Sequence, residues 1–262
     1  MQRTSMLTKE QVAFYQENGY LLVERLLTLQ EAQKLRQECH ALAQRLSVHA
    51  DIDATWGSAR QVVAQAQHTT LLHCHNVQFY AAAFSRLLVD ERLTGAAADL
   101  MGSPNVQLHH TKMFIKPPEK GSPFPLHQDY PFFPHERQSM LAAIFHFDDA
   151  PLEKGCVCIV PGSHKLGPLE HRAEGGWHLP PEQYPLSSAL PCPAGAGDVL
   201  FLSYLTIHGS GLNVSNEART TLLVQMRDPT DLPTQQVHRS RGQGMMLRGI
   251  DPVALPRGHE EL

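Results

Sequence analysis

Long apolar runs are missing from this chain of 262 residues: nothing in it approaches the ~18–20 consecutive apolar residues a bilayer-spanning helix needs. Lysine and arginine clusters are missing too, and a net charge of −4 gives no electrostatic footing for nucleic acid. A small-molecule partner is therefore expected, with neither nucleic acid nor membrane. The opening MQRTSMLTKEQ lacks the apolar core of a secretory signal, and the final HEEL is neither a retention nor a peroxisomal tag, so a cytoplasmic location is expected. Cysteine is sparse. Cys39, Cys74, Cys156, Cys158 and Cys192 are odd in number and irregularly spaced, which excludes a disulfide framework and predicts reduced thiols. Cys156-x-Cys158 lies in the apolar run GCVCIV and reads as a pair of small strand residues.

With 42% hydrophobic and 18% charged residues, the composition is that of an ordinary globular protein long enough to bury a sizeable core. The N-terminal part carries helix signals. Thr8 with Gln11 forms a capping-box pattern before a stretch that stops at Asn18-Gly19. Thr28 with Glu31 repeats it, and Ala32, Leu35, Cys39, Leu42 and Leu46 follow at helical spacing. Helical pattern returns from about Ala81 to Met101, ending at Gly102-Ser103-Pro104. From Asn105 the texture changes to short apolar or alternating runs (NVQLHHTKMFI, SMLAAIFHF, GCVCIV, DVLFLSYLTIH, TTLLVQM) separated by proline- and glycine-rich turns. Short strands without intervening helices predict an antiparallel jelly roll. The expected architecture is mainly β: a cupin-like double-stranded β-helix over 105–230, helical support over 1–104 and a C-terminal segment over 231–262, all in one domain. Residues 50–75, 166–190 and 228–250 show no legible pattern and are expected to form lid or rim.

Histidine is the one compositional excess, at 16 residues. PLHQDYPFF places His127 and Asp129 two apart, a spacing that aims both at one side of a strand. His208, at the end of DVLFLSYLTIH, can supply a third ligand from a distant strand. Two histidines and a carboxylate on one face of a metal leave three positions open, the arrangement of non-haem Fe(II) oxygenases. Arg219 stands eleven residues after His208 at the start of RTTLLVQM, where its planar fork can take the far carboxylate of 2-oxoglutarate. On spacing alone, two turn histidines and a surface arginine beside Glu217 remain an alternative.

The quoted elements HHTKMFIKPPEKGSPFPLHQDYPFFP, GCVCIVPGSHK and GDVLFLSYLTIHGSGLNVSNEAR resemble the phytanoyl-CoA dioxygenase family, as does the opening LTKEQVAFYQENGYLLVERLL, so the likeness reaches to about residue 230. The resemblance implies Fe(II) held by His127, Asp129 and His208, with 2-oxoglutarate anchored by Arg219, O2 as second cosubstrate and ascorbate as reductant. It places Lys112 in the lining of the cosubstrate pocket and Phe145 where the family's namesake has a tryptophan beside the cosubstrate; His75 falls near a lysine of that enzyme. Ser210 follows the ligand His208 and is a candidate cosubstrate or substrate contact. The expected activity is hydroxylation of a small polar or anionic metabolite: an acyl-CoA, a phosphonate, a compatible solute or a secondary metabolite.

Strand parity extends the candidate set. His110 and Lys112 share a face, whereas the adjacent His109 is expected on the opposite one. Gln225 and Arg227 share parity with Arg219 and are candidate substrate contacts, although Arg227 also reads as a paired residue beyond the strand end, beside Asp228-Pro229. Two rival functions bear comparison. An iron halogenase needs the carboxylate ligand removed to admit chloride, and Asp129 is present. A catalytically inactive, cupin-like protein that binds or senses 2-oxoglutarate is the alternative from another class.

Overall fold

The computed structural model describes residues 5–46, 72–119, 123–174, 176–235 and 239–254. Helix α1 (Lys9–Asn18) starts where Thr8 Oγ1 accepts from the Gln11 N–H while the Gln11 side chain accepts from the Thr8 N–H. It stops at Gly19, whose φ of 77° only glycine adopts cheaply, and a Cβ there would lie 2.5 Å from Thr206 Oγ1. The chain continues as β1 (Tyr20–Val23), which the helical reading of this region did not anticipate. Helix α2 (Leu29–Leu46) opens with the Thr28–Glu31 box and buries Ala32, Leu35, Cys39 and Leu42 along one stripe. Two further helices, Ala82–Leu88 and Glu91–Met101, complete the layer. No helix among the described residues is long and apolar enough to cross a membrane.

The remaining strands are β2 (Leu72–His75), β3 (Val106–Lys116), β4 (Phe124–His127), β5 (Leu141–His146), β6 (Val157–Ile159), β7 (Leu190–Cys192), β8 (Val199–Ser203), β9 (His208–Ser210), β10 (Arg219–Arg227) and β11 (Met246–Arg248). They build two antiparallel sheets. The larger runs β1-β8-β5-β10-β3-β11, with β2 also on β3, and the smaller runs β4-β9-β6-β7. This is the mainly-β, curled-sheet architecture expected of a double-stranded β-helix with a helical outer layer.

Alternation along the large sheet sorts its two faces. Met113, Ile115, Leu141, Ala143, Phe145, Leu222 and Val224 point outward into the main core with Leu35, Leu42, Phe84 and Leu88 of the helices. Ala142 and Ile144 point inward, toward Val157 and Ile159 of the small sheet. Between the sheets, a cavity of about 590 Å³ opens. Of the segments without legible pattern, 72–75 is β2 and 50–71 lies outside the described residues. Leu169, Leu179, Tyr184 and Leu186 of the second segment pack on Leu126 and Ile207 behind the metal motif, and the third supplies β11.

Candidate active site

Strand pairing creates the centre of the site. His127 at the end of β4 lies directly across from His208 at the start of β9, with ring centroids 4.3 Å apart. Each ring places Nδ1 against a backbone carbonyl two residues earlier: Pro125 O at 2.8 Å for His127 and Thr206 O at 2.9 Å for His208. A carbonyl only accepts, so each Nδ1 carries the proton and each Nε2 keeps its lone pair. Both Nε2 atoms stand 3.8 Å from Asp129 Oδ1.

Asp129 reaches this position differently from the strand spacing expected. Its φ of −75° and ψ of −20° place it just past β4, heading a short 3₁₀ turn, where its N–H donates to Tyr204 O at 2.9 Å. Between the two ligands Gln128 turns away from the cavity. Its Nε2 donates to Leu205 O and Gly167 O while Oε1 accepts from the Leu169 N–H, which ties three loops behind the metal motif.

Ligand atoms of His127, Asp129 and His208 all lie within 4.8 Å of one another, and Asp129 Oδ2 is buried without a hydrogen-bond partner among the described residues. Burial, reinforced by His208, holds the His127 imidazole well below its usual range, so it is neutral and ready to ligate. Burial also pushes the Asp129 carboxyl up. A divalent cation among the three would supply the missing partner and reverse that shift. Two nitrogens and one oxygen on a buried wall fit iron(II) and leave coordination positions facing the cavity.

At one end of the cavity lies Arg219, 4% exposed. Its guanidinium donates to Gly155 O, its Nε has no partner, and no carboxylate among the described residues pairs with it. Burial pushes it down to about 10, still charged at neutral pH. A buried cation without a counter-ion is costly, and the far carboxylate of 2-oxoglutarate fits the vacancy in its hydrogen bonding. Beside it Lys116, fully buried, donates to Ser210 Oγ and Gly211 O, both at 2.7 Å. With its oxygen occupied, the Ser210 hydroxyl has its own proton to give to a bound anion. Nearby His146 is pushed down to about 3 by burial and by Arg219, hence neutral.

Lys112, His75, His110 and Gln225 also line the cavity. The Lys112 ammonium, 4.9 Å from the Phe114 ring centroid, is pushed down to about 8 by burial, which outweighs the opposing pull of Asp129. Two expected residues do not. Phe145 faces outward, stacked on Phe147 in the main core; Ile144 holds the inward place, so the wall there is aliphatic. Arg227 keeps inward parity but lies past the end of the cavity, donating to Asp231 O with Asp231, Asp251 and Asp228 around it. Strand parity also misplaced His109: a bulge opposite Gln225/Met226 turns both His109 and His110 toward the cavity, their Nδ1 atoms 2.7 Å apart. Lys116 was missed, although it continues the His110-Lys112-Phe114 face and was legible by parity; His73 and Thr221 were missed as well.

Comparison with known proteins adds a second line. The family model for phytanoyl-CoA dioxygenase matches residues 15–221. The peroxisomal phytanoyl-CoA dioxygenase of Bos taurus is 29% identical over 245 residues, covering 86% of this chain and 69% of that protein. A probable alpha-ketoglutarate-dependent hypophosphite dioxygenase of Stutzerimonas stutzeri is 27% identical over 230 residues, covering 82% and 77%. Among solved structures, the epimerase SnoN in complex with Fe3+, alpha ketoglutarate and nogalamycin RO superposes with a TM-score of 0.69 at 26% identity, covering 92% of this chain and 98% of that one.

Proposed function

Since the chain belongs to the phytanoyl-CoA dioxygenase family of iron- and 2-oxoglutarate-dependent oxygenases, we propose that it hydroxylates a small polar or anionic metabolite, with His127, Asp129 and His208 as the iron ligands and Arg219 as the cosubstrate anchor. What carries this reading is the meeting, in one buried cavity, of a two-histidine, one-carboxylate cluster with an arginine that has no counter-ion among the described residues. Iron(II) with 2-oxoglutarate and O2 supplies the oxidising power, the keto acid leaving as succinate and CO2 while one oxygen atom goes to the substrate C–H.

The chain's own work is binding and orientation. Backbone carbonyls of Pro125 and Thr206 fix the two histidine rings in the ligating tautomer. Arg219 and the Ser210 hydroxyl would hold the far carboxylate of bound 2-oxoglutarate and orient it for reaction. Ile144, Val157, Leu223 and Phe124 wall the same chamber, keeping water from the reacting centre. The relatives' names span phytanoyl-CoA, hypophosphite and nogalamycin RO, so the substrate is chosen by the rest of the cavity.

The test is to supply Fe(II), ascorbate and 2-oxoglutarate with a panel of candidate metabolites and to measure succinate. Iron-dependent succinate, raised by at least one compound and lost in His208→Ala, is expected. No iron-dependent succinate under any condition would sink the proposal.

A further inference from the structure

Along β10, Arg219 and Gln225 are separated by six residues, about 20 Å at ~3.4 Å per residue. The metal ligands stand between them: Ser210 of β9 meets Lys116, the β3 partner of Arg219, while Asp129 acts electrostatically on Lys112, the β3 partner of Leu223. A five-carbon keto diacid held by Arg219 and the metal ends well short of Gln225. The far end therefore belongs to the substrate.

That end is polar and built. Gln225 is fully buried, lines the cavity, and has neither side-chain Oε1 nor Nε2 bonded to any described residue. Its β5 neighbour across the sheet is Ala142, too small to cover it, and its β3 neighbour is His110. The Nδ1–Nδ1 contact of His109 and His110 needs one donor and one acceptor, so one Nε2 of the pair is a donor and the other an acceptor. Phe133 packs on both rings, with centroids at 4.7 and 5.4 Å.

Charge then specifies what fits. Among the described residues Asp129 is the only carboxylate lining the cavity, and the proposed function commits it to iron. Iron(II), Asp129, the two carboxylates of 2-oxoglutarate and Arg219 sum to zero. Lys112, between the metal and Gln225, has no ion pair among the described residues, so the loaded cavity retains a positive charge. A buried cation of this kind favours a ligand that brings its counter-ion. Resting on the reading above, we propose that the substrate is a small molecule bearing an oxyanion group, carboxylate or phosphonate, that pairs with Lys112, and a neutral hydrogen-bonding group that is read by Gln225 and His110. Gln225 is thus a specificity-determining residue for the reaction.

The experiment uses the full chain loaded with Mn(II) and 2-oxoglutarate, so that binding is read without turnover. Calorimetry compares 6-hydroxyhexanoate with 6-hydroxyhexanamide, 4-hydroxyphenylacetate with 4-hydroxyphenylacetamide, and 4-hydroxyphenylphosphonate with its dimethyl ester, each acid carrying a hydroxyl for Gln225 and His110. At least one acid is expected to bind about tenfold more tightly than its neutral twin, and which pair discriminates separates carboxylate from phosphonate. Lys112→Met should erase that preference, and Gln225→Met should weaken the preferred acid about tenfold. If Gln225→Met does not fold, Gln225→Asn, which retracts the amide by one methylene, takes its place with the same expected direction. In a parallel succinate assay with Fe(II), Arg219→Lys should shift the half-saturation for 2-oxoglutarate by a larger factor than Gln225→Met does. No acid outbinding its twin, or an unchanged preference in Lys112→Met, overturns the charge assignment; unchanged acid binding in both Gln225 variants overturns the specificity role. Absence of any iron-dependent succinate is a different failure and strikes the proposed function itself.

Discussion

Arg219 and Lys116 are neighbouring basic groups in a dry interior, where burial and the Arg219 charge push the Lys116 amine well down, and their surroundings differ. Lys116 has two neutral oxygens at 2.7 Å, whereas Arg219 has one carbonyl and an unused Nε. The guanidinium is thus the group left waiting for an anion. Arg219→Lys preserves the charge and loses the planar fork, so 2-oxoglutarate binding should weaken by about 1.5–3 kcal/mol, roughly ten- to a hundredfold in half-saturation. Metal affinity, measured by Co(II) titration, should change little. A half-saturation equal to the parent's would move the anchoring role to Lys116. His208→Ala has the opposite signature. Removing one of three ligand atoms that lie within 4.8 Å of each other should abolish Co(II) absorption features and succinate formation alike.

At the scale of elements, β4 and β9 are locked in register by a close approach at Gly209. A Cβ there would stand 2.6 Å from the Phe124 carbonyl oxygen and 3.1 Å from Leu126 Cδ2, and the backbone oxygen cannot swing aside. Gly209→Ala should pry the strands apart beside the His127–His208 pair. We expect a loss of about 1–3 kcal/mol in stability and at least a tenfold loss in metal affinity, read by urea unfolding and Co(II) titration. Unaltered metal affinity would show that the two histidines tolerate strand separation.

The helical layer offers a test by pH. Glu31 caps α2 through the Thr28 N–H and takes a bidentate contact from Arg92 of the Glu91–Met101 helix. Arg92 first, then Thr28, hold its carboxyl down to about 2 from an ordinary 4.5. A depressed carboxyl stabilises the fold above its unfolded value, and that stability is lost as pH falls from 4.5 toward about 2. Because the Glu31 side chain is 41% exposed, solvent screening limits the effect, and Glu31→Gln should cost only about 0.5–1 kcal/mol at pH 7. Urea midpoints of parent and variant should converge once pH falls below about 2; a gap that persists there would assign the loss to packing.

For the whole molecule, metal and cosubstrate bind a cavity that exists only when both sheets are assembled, so both should stabilise the folded state by mass action. At a hundredfold excess over Kd the gain is about 2.7 kcal/mol, which for a chain of this size raises Tm by roughly 5–10 °C. Mn(II) alone should give a rise, Mn(II) with 2-oxoglutarate a larger one, and His208→Ala neither. A rise with 2-oxoglutarate of the same size in the presence and absence of metal would contradict a chelated cosubstrate.

By itself the sequence determined the chemistry and most of the frame. Capping pairs at Thr8–Gln11 and Thr28–Glu31, the change to short punctuated strands after Asn105, and parity along 110–114 and 219–225 are local properties, set by hydrogen bonds and side-chain directions within a few residues. Residue type and spacing made His127, Asp129, His208 and Arg219 candidates, the family resemblance singled them out, and the fold brings all four to one cavity. Tertiary structure decided whatever depended on which neighbour a strand meets. In β5 both faces are buried, so the run AAIFHF carries no polar contrast to show that Ile144 and not Phe145 faces the cavity. The bulge that turns His109 inward is an irregularity in pairing with β10, and strand alternation alone does not reveal it. Arg227 has inward parity, but the cavity ends before reaching it, where Asp231 closes over the guanidinium. Periodicity fixes the direction of a side chain relative to its own backbone; what stands in that direction is set by which strands pair, as β10 does with both β3 and β5, and only folding brings them together.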